Sequence, residues 1–184
     1  TITSPLLYPA FDDTDGLFAD SVEKRLGYPM VVKEAYGSFG AQVYLAKNRS
    51  ELDALRNRLK YMPHLYQRYV KNSSGEDIRI IVVGGKAVAA MKRKNNGDFR
   101  ANIELGGVGE KYIPSSEQVE LSERICRLLG ADYIGVDLLF DKDKTLLCEV
   151  NTNAHFMFIS DCTGVDVAKL YVGHVMEEIY GRAD

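Results

Sequence analysis

The sequence contains few of the residues that build cross-linked or membrane-spanning folds. Its 184 residues include no tryptophan and only three cysteines, Cys126, Cys148 and Cys162. Their spacing matches neither a disulfide framework nor a zinc site. No apolar run approaches the roughly 18 residues of a membrane span, and the N-terminus lacks the charged and apolar segments of a secretion signal. We therefore expect reduced thiols and a cytoplasmic protein that does not contact a membrane.

The charge balance excludes a further class of partner. The net charge is −3 and the pI about 5.7, so the composition provides no basic surface for nucleic acid. The length suffices for one domain or for two small lobes with their own cores. Because the chain begins at Thr1 rather than Met, and residues 1–15 have the pattern of an extended connector, we interpret it as a fragment of a longer protein.

The pattern of residues 16–64 predicts a first, small lobe. The spacing of apolar residues indicates a helix over 16–26 that ends at Gly27. Two short strands, "YPMVVK" and "AQVYLA", flank a glycine-rich loop. Ser50 is the expected cap of a second helix.

Residues 65–184 predict a second, larger lobe. The strand "HLYQRYV" leads into it, and a hairpin turns at Gly84-Gly85. The strands "YIGVDLLF" and "TLLCEVN" meet at the turn "DKDK", and a helix over 166–180 closes the chain. A further helix over 116–129 is expected to direct four apolar residues inward, namely Leu121, Ile125, Leu128 and Leu129. Sheet and helices in both lobes predict an α+β fold.

Two carboxylates and an amide on neighbouring strands form the strongest chemical signal. Glu149 and Asn151 point to one face by strand alternation, and pairing through the turn at 141–144 brings Asp137 near them. Such oxygen donors suit Mg²⁺. The alternative is a pair of carboxylates at solvated strand ends, or one carboxylate tied to an arginine. Because an uncompensated carboxylate is unfavourable in so apolar a strand, Asp137→Asn should preserve or slightly raise the stability of the metal-free protein.

The stretch "VVKEAYGSFGAQV" carries a second signal. Gly37 and Gly40 let the backbone approach a ligand closely, so that its amides can face phosphate oxygens, and Lys33 adds a positive charge. The sequence has no G-x-x-x-x-G-K-[ST] motif. Taken alone, the loop favours an ordinary hairpin over a phosphate-binding flap.

Basic residues on and after the predicted hairpin form a third signal. Lys92 and Lys94 fit a solvated face, whereas Arg79 and Arg93 adjoin apolar strands. Arg100 and Asn102 are expected to alternate onto one face, where they could meet a phosphoryl group. A solvated charge run is the alternative for the whole set. His155, four residues beyond the proposed metal strand, is the histidine best placed for a role in the site.

Five segments in this order resemble the ATP-grasp family, specifically the branch of ribosomal-protein α-L-glutamate ligases. They are "GYPMVVKEAYGSFGAQV", "LYQRYVKNSSGEDIRIIVVGGKAVAAMKRK", "GDFRANIELGG", "IGVDLL" and "CEVNTNAHF". The resemblance extends from about residue 5 to residue 180. After "EVN" this chain has "TNAHF", where members of the family commonly have a small-residue turn with proline and glycine.

The resemblance implies an ATP-grasp fold, with ATP between two α+β lobes, and roles for particular residues. Nucleotide contacts are implied for Lys33, for the flap residues Gly37, Ser38, Phe39 and Gly40, for the hinge residues Gln67, Arg68, Tyr69 and Val70, and for Asp77. Positions around the reacting phosphate and carboxylate are implied for Arg79, Arg100 and Asn102. Mg²⁺ ligation, with Mn²⁺ as an alternative ion, is implied for Asp137, Glu149 and Asn151.

The implied reaction is carboxylate–amine ligation with release of ADP. The γ-phosphate passes to a substrate carboxylate, and an amine attacks the acyl phosphate, so that a glutamate-like amino acid is joined to a peptide or small-molecule acceptor. The implied partners are ATP, the amino acid or peptide, and an N-terminal domain missing from this chain; a homo-oligomer is also compatible. The competing interpretations are a nucleotide-binding regulatory module without ligase activity and a plain interaction domain.

Overall fold

The structure is a computed structural model that describes residues 1–5 and 16–181. The chain divides into two compact units, Thr1–Tyr69 and Val70–Asp184. Most of the predicted connector, residues 6–15, lies outside the described residues. Within the described ranges, no helix has both the length and the apolar character needed to cross a membrane.

The first unit is built on a four-stranded antiparallel sheet. Its strands are β1 (Ile2–Thr3), β2 (Met30–Glu34), β3 (Val43–Ala46) and β4 (His64–Arg68), in the order β1-β4-β2-β3. Helices α1 (Leu17–Leu26) and α2 (Arg49–Arg58) contribute Val22 and Leu52 to its core, where they join Met30, Val32 and Tyr66. The predicted helix over 16–26 and the strands around the glycine loop are confirmed.

Three expectations for the first unit are corrected. Part of the predicted connector is a strand, since Ile2 and Thr3 pair with β4. Helix α2 is capped by Asn48 rather than Ser50, because the Asn48 side chain accepts the Glu51 amide at 3.0 Å. Strand β4 pairs along β2 and so belongs to this sheet, which places the boundary between the units after Tyr69 rather than near residue 64.

The second unit is built on a five-stranded antiparallel sheet in the order β7-β6-β5-β8-β9. The strands are β5 (Glu76–Val83), β6 (Lys86–Lys94), β7 (Val108–Lys111), β8 (Tyr133–Asp141) and β9 (Lys144–Asn151). The helices are α3 (Ser116–Leu129), α4 (Met157–Thr163) and α5 (Val167–Tyr180). Gly84 and Gly85 have φ of 55° and 76°, the left-handed backbone that a two-residue hairpin favours. The predicted α+β fold is confirmed.

The two faces of the larger sheet have different neighbours. Ile80 and Val82 of β5 point to one face, where they pack with Cys126 of α3. Ile81 of β5 points to the other face and packs with Ile159 of α4 and Val167 of α5. Because side chains alternate along a strand, Asp77 and Arg79 lie on the same face as Ile81. That face is therefore apolar toward one end and charged toward the other.

One further expectation is corrected in the second unit, and two elements there were not predicted. Helix α3 exposes Leu128 and Leu129, by 75% and 56%, although both were expected inside. Each helical residue turns by about 100°, so Leu128 lies about 200° around α3 from the buried Cys126, and Leu129 occupies the last helical position. Strand β7 and helix α4 were not predicted, because "VGEK" and "MFISDCT" are too short for their periodicity to be recognised.

Candidate functional site

Charged side chains form a row across one face of the larger sheet. In the register of the strands, Asp77 of β5 lies opposite Arg93 of β6, and Arg79 of β5 lies opposite Asp137 of β8. Residues directly opposite each other in an antiparallel pair share a face. The hairpin of β5 and β6, together with β8 from a distant part of the sequence, therefore brings two arginines and two aspartates together.

These four residues form a continuous set of ion pairs, which we call the ion chain (Asp77, Arg93, Asp137 and Arg79). Arg79 donates from Nε and Nη2 to the two oxygens of Asp137, each at 2.7 Å. Arg93 donates from Nη2 to Asp137 Oδ2 at 2.8 Å. It also donates from Nε and Nη2 to the two oxygens of Asp77, each at 2.6 Å. The compensating positive charge that the apolar strand around Asp137 requires is thus supplied by two arginines.

Burial and pairing act in opposite directions on these acids. Burial raises the pKa of Asp137, but the charges and hydrogen bonds of Arg93 and Arg79 outweigh it and lower that pKa to about 2. Burial also raises the pKa of Asp77, and there it outweighs the attraction of Arg93. Asp137 is therefore ionised at neutral pH, as a carboxylate must be to ligate a metal.

Strands β8 and β9 place the other two proposed ligands beside Asp137. Glu149 lies opposite Asp137, and Asn151 lies opposite Gly135, so the predicted pairing of these strands is confirmed. The register shifts between Asp137 and Leu138, and a shift of this kind makes the strand bend and re-aims side chains. Asp137 and Glu149 thus form a cross-strand pair next to an irregularity.

The donor set fits Mg²⁺ in number and type. Over residues 1–5 and 16–181, no group of three or more His, Cys, Asp and Glu could hold a metal, but the predicted set is two carboxylates and the amide of Asn151. A carboxylate offers about four acceptor sites, and Asp137 uses three of them on arginines. Mg²⁺ commonly takes one or two carboxylates and completes its shell with water and phosphate. Convergence of all three residues on one ion stays a prediction.

The glycine loop of the first unit joins β2 to β3. Its lysine, Lys33, is in β2 opposite Val43 of β3, so the predicted hairpin is present. Phe39 and Gly40 have φ of 56° and 72°. The Ser38 amide donates to Gln42 Oε1 at 3.2 Å. Gln42 thus accepts an amide that the loop would present to a phosphate; contact of Lys33 and residues 37–40 with phosphate stays a prediction.

The predicted hinge falls where the two units join in sequence. Gln67 and Arg68 end β4, and the Gln67 side chain donates to Thr1 Oγ1 at 3.1 Å. The first unit ends at Tyr69, and Val70 precedes a short 3₁₀ helix. Contact of these residues with adenine stays a prediction. A ribose contact by Asp77 would require its carboxylate to exchange Arg93 for the sugar.

The predicted alternation of Arg100 and Asn102 is not found, because residues 95–102 form a loop rather than a strand. Arg100 donates from Nε and Nη2 to the Asp98 carboxylate at 2.9 and 2.7 Å. The Asn102 carbonyl accepts the Gly107 amide at 3.2 Å. The loop lines a polar cavity of about 360 Å³. Pairing with Asp98 orients Arg100 locally, and its contact with substrate stays a prediction.

Arg93 lies at the centre of the ion chain. The sequence singles it out beside apolar strands but does not place it among the expected site residues. Its side chain is 3% exposed, whereas that of Arg79 is 13% exposed. One signal could have identified it: in the predicted hairpin it lies across from Asp77, among small and apolar residues. Pairing of the hairpin would then have buried both charges together.

Comparison with known proteins identifies the family. Residues 10–175 match the model of the RimK-like ATP-grasp domain. The chain is 37% identical over 160 residues to beta-citrylglutamate synthase B of Danio rerio, covering 85% of this chain and 40% of that protein. It is 32% identical over 166 residues to a probable alpha-L-glutamate ligase of Mannheimia succiniciproducens, covering 89% and 56%.

A solved structure agrees with the fold. The ATP-grasp ligase PsnB, in complex with a minimal precursor, Mg and ADP, superposes with a TM-score of 0.68 at 23% identity, covering 89% of this chain and 50% of that one. The chain thus spans about half the length of these proteins. The match of the family model over most of the sequence confirms the resemblance seen in the motifs: the chain belongs to the family of RimK-like ATP-grasp domains.

Proposed function

We propose that the protein containing this chain is an ATP-dependent, ADP-forming carboxylate–amine ligase. It would activate a carboxylate as an acyl phosphate and join a glutamate-like amino acid to a peptide or small-molecule acceptor. The observation that carries this proposal is Asp137, which is ionised, held by two arginines and opposite Glu149 in a RimK-like ATP-grasp domain.

The names of the relatives support the substrate class. One is a citrylglutamate synthase and another a probable glutamate ligase, and both names refer to glutamate joined to a second group. PsnB, a protein of the same fold, has been solved in complex with a minimal precursor, Mg and ADP. ATP with Mg²⁺, or with Mn²⁺ in its place, and an amino acid or peptide are therefore the ligands that we propose.

In the proposed reaction the protein positions groups and neutralises charge. An oxygen of the substrate carboxylate attacks the γ-phosphorus of ATP, and the bond to ADP breaks. The amine nitrogen then attacks the acyl carbon, loses a proton, and displaces phosphate. Because phosphoryl transfer moves charge among oxygens, fixed cations supply most of the acceleration.

Individual residues have separate tasks in this scheme. Lys33 and the amides of the glycine loop would hold the phosphates of ATP, and Arg100 and Asn102 would orient the acceptor. Asp137, Glu149 and Asn151 would hold Mg²⁺, which when bound neutralises the phosphate charge.

Arg79 would change partners during this process. In the structure it forms a bidentate pair with Asp137, and a guanidinium has the same fork geometry toward phosphate as toward carboxylate. Arg79 would exchange this carboxylate for the transferring phosphoryl group, and Asp137 would then be available as a ligand of Mg²⁺. Arg79 would thus first orient the Asp137 carboxylate and then act on the substrate.

The proposal is tested by ADP release from the full-length protein with a panel of amino acids and short peptides. We expect Mg²⁺-dependent release with at least one acceptor. We expect Asp137→Asn to lower the ligation rate at least about a hundredfold, which corresponds to about 2.7 kcal/mol of barrier. Nucleotide affinity should fall much less, since the contacts of Lys33 and the hinge to ATP would remain.

A matched control lies on the same strand. Asp141 ends β8 and accepts a hydrogen bond from Asn72 at 2.8 Å at an exposed position. Asp141→Asn should leave the rate unchanged. Wild-type ligation by Asp137→Asn would remove Asp137 from the mechanism, and an unmutated protein without ATP turnover on any acceptor would favour a regulatory module.

A further inference from the structure

Arg93 connects the proposed metal ligand to the interior of the sheet. It is 2% exposed, and it donates to both Asp77 and Asp137. We propose that Arg93 is a positioning residue that fixes the orientation of the Asp137 carboxylate for a small divalent cation. This inference rests on the proposed function, because it requires Asp137 to be a metal ligand.

Asp77 restrains the orientation of Arg93, and Arg93 in turn restrains the orientation of Asp137. The Nε and Nη2 of Arg93 both donate to Asp77 at 2.6 Å, so that two parallel hydrogen bonds fix the plane of the guanidinium. The same Nη2 then donates to Asp137 Oδ2 at 2.8 Å. Asp77 therefore orients Arg93, and Arg93 orients one oxygen of Asp137. The other oxygen, Oδ1, contacts only Arg79 among the arginines of the ion chain.

Arg79 is less suited to this task in the proposed reaction. It shares both oxygens of Asp137 in the structure, but the proposed function has it exchange Asp137 for the transferring phosphoryl group. Arg93 has a second anchor in Asp77 and is nearly inaccessible to solvent. Arg93 can therefore remain on Asp137 Oδ2, and Asp137, with Glu149 and Asn151, would hold a divalent cation.

A lysine at position 93 would keep the charge but not the geometry. An ammonium is a compact point charge without the planar fork that pairs with a carboxylate through two parallel bonds. It would attract Asp77 and Asp137 without fixing the rotation of either. Arg93→Lys thus removes the control over the orientation of the Asp137 carboxylate but keeps the positive charge.

Orientation is expected to affect small ions more than large ones. Mg²⁺ requires near-octahedral geometry at about 2.1 Å, whereas Ca²⁺ accepts six to eight ligands in flexible geometries. A general loss of charge or stability would weaken the binding of both ions. A loss of carboxylate orientation would instead lower the preference for Mg²⁺ over Ca²⁺.

The experiment measures this preference in the full-length protein. Mg²⁺ and Ca²⁺ are each titrated into protein with ADP, with correction for the metal bound by ADP alone, and folding is checked by circular dichroism. Replacing a partner of a metal ligand typically costs about 10- to 100-fold in metal affinity. Because Ca²⁺ tolerates flexible geometry and Mg²⁺ does not, we expect Arg93→Lys to reduce the ratio of Mg²⁺ to Ca²⁺ affinity by about tenfold. Nucleotide affinity without metal should stay at the wild-type value.

A second variant removes the buried charges as a pair. Arg93→Met with Asp77→Asn leaves the Asp137–Arg79 pair intact and avoids a buried aspartate without a counter-charge, so it is expected to fold. It should reduce the ratio as Arg93→Lys does. A wild-type ratio in either folded variant would overturn the positioning role.

The outcomes also separate this inference from the proposed function. If Asp137→Asn loses metal binding while both Arg93 variants keep the wild-type ratio, the proposed metal site stands and the role of Arg93 is overturned. If the unmutated protein with ADP binds neither ion, both proposals fail. A reduced ratio in the Arg93 variants supports both.

Discussion

Asp137 accepts three hydrogen bonds from two arginines inside an apolar strand, and each partner is held in place by the sheet. Neighbouring guanidinium groups stabilise the ionised carboxylate more than burial destabilises it, which is why its pKa is about 2. Removal of the negative charge therefore affects the arginines as well as the acid.

The structure reverses the effect on stability that the sequence predicts for Asp137→Asn. An asparagine offers one oxygen where the aspartate offers two, so buried N–H groups of Arg79 or Arg93 lose an acceptor and part of their counter-charge. Breaking a buried ion pair by removing one partner typically costs 3–5 kcal/mol. Because asparagine keeps one acceptor, we expect the free energy of unfolding to fall by about 3 kcal/mol, measured by chemical denaturation without metal.

A more exposed pair provides the control. Asp98 receives Arg100 at 2.7 Å, with the two side chains 27% and 22% exposed. Exposed ion pairs contribute about 1 kcal/mol or less, so Asp98→Asn should have a small effect. Equal losses in the two variants would show that burial of the ion chain does not determine its contribution.

At the scale of single elements, β8 depends on a glycine. Gly135 lies opposite Ile81 of β5 and Asn151 of β9. A Cβ at this position would lie 2.5 Å from the Cβ of Ala154. A Cβ is attached directly to the backbone, so Ala154 can move away only if its segment of the chain shifts. The close approach of β8 to the segment after β9 is thus possible only because residue 135 has no side chain.

We therefore expect Gly135→Ala to destabilise the second unit. Overpacking of a filled interior typically costs 1–3 kcal/mol, and we expect a loss of about 2 kcal/mol in the free energy of unfolding. Gly173 of α5 is the matched control, since a Cβ there meets no atom within 4 Å. Gly173→Ala should stabilise by up to about 1 kcal/mol, because alanine favours the helix. Unchanged stability in Gly135→Ala would show that the chain segment around Ala154 moves and makes room for the added methyl group.

At the scale of the whole molecule, a buried histidine makes stability depend on pH. His64 is 5% exposed, its Nδ1 lies 2.7 Å from the Met62 carbonyl, and its Nε2 lies 2.7 Å from the Tyr66 hydroxyl. Burial lowers the pKa of His64, and the charge of Arg56 lowers it further, against the Met62 hydrogen bond and the charge of Glu34. The folded protein therefore favours the neutral ring.

The sign of the pH dependence follows from linkage. Below the ordinary histidine pKa of about 6.5, the unfolded chain binds a proton that the folded chain resists, so the free energy of unfolding falls as the pH is lowered. The loss begins near pH 6.5 and continues to the lower pKa of the folded state. We expect the midpoint temperature of thermal unfolding to decrease as the pH is lowered from 7.5 to 5.

Two variants test this assignment. His64→Asn keeps a donor for the Met62 carbonyl but does not titrate, so the fall over this pH range should be largely absent. Replacement of His174, on α5, by glutamine should not change the decrease in the thermal midpoint. If the thermal midpoint of His64→Asn still decreases as much as that of the wild type, groups other than His64 cause the pH dependence.

Local patterns in the sequence predict most of the helices and strands and the order of the site motifs. Periodicity and glycine positions located α1, α3, α5 and the hairpins β2–β3 and β5–β6, because these features depend on residues close in sequence. Strand alternation and a short turn likewise predicted that Asp137 and Glu149 would face each other. Short elements such as α4 escaped recognition, since seven residues contain too few repeats of a helical period.

The neighbours of Asp137, in contrast, follow from the tertiary fold. Arg79 and Asp137 are 58 residues apart in sequence, and Arg93 and Asp137 are 44 apart. Alternation fixes the face of a side chain, but it does not state which strands become neighbours or in what register. That choice depends on the burial of apolar residues on both faces of the sheet. The pairing of β5 with β8, which brings Asp137 to the two arginines of the β5–β6 hairpin, is therefore a property of the folded sheet.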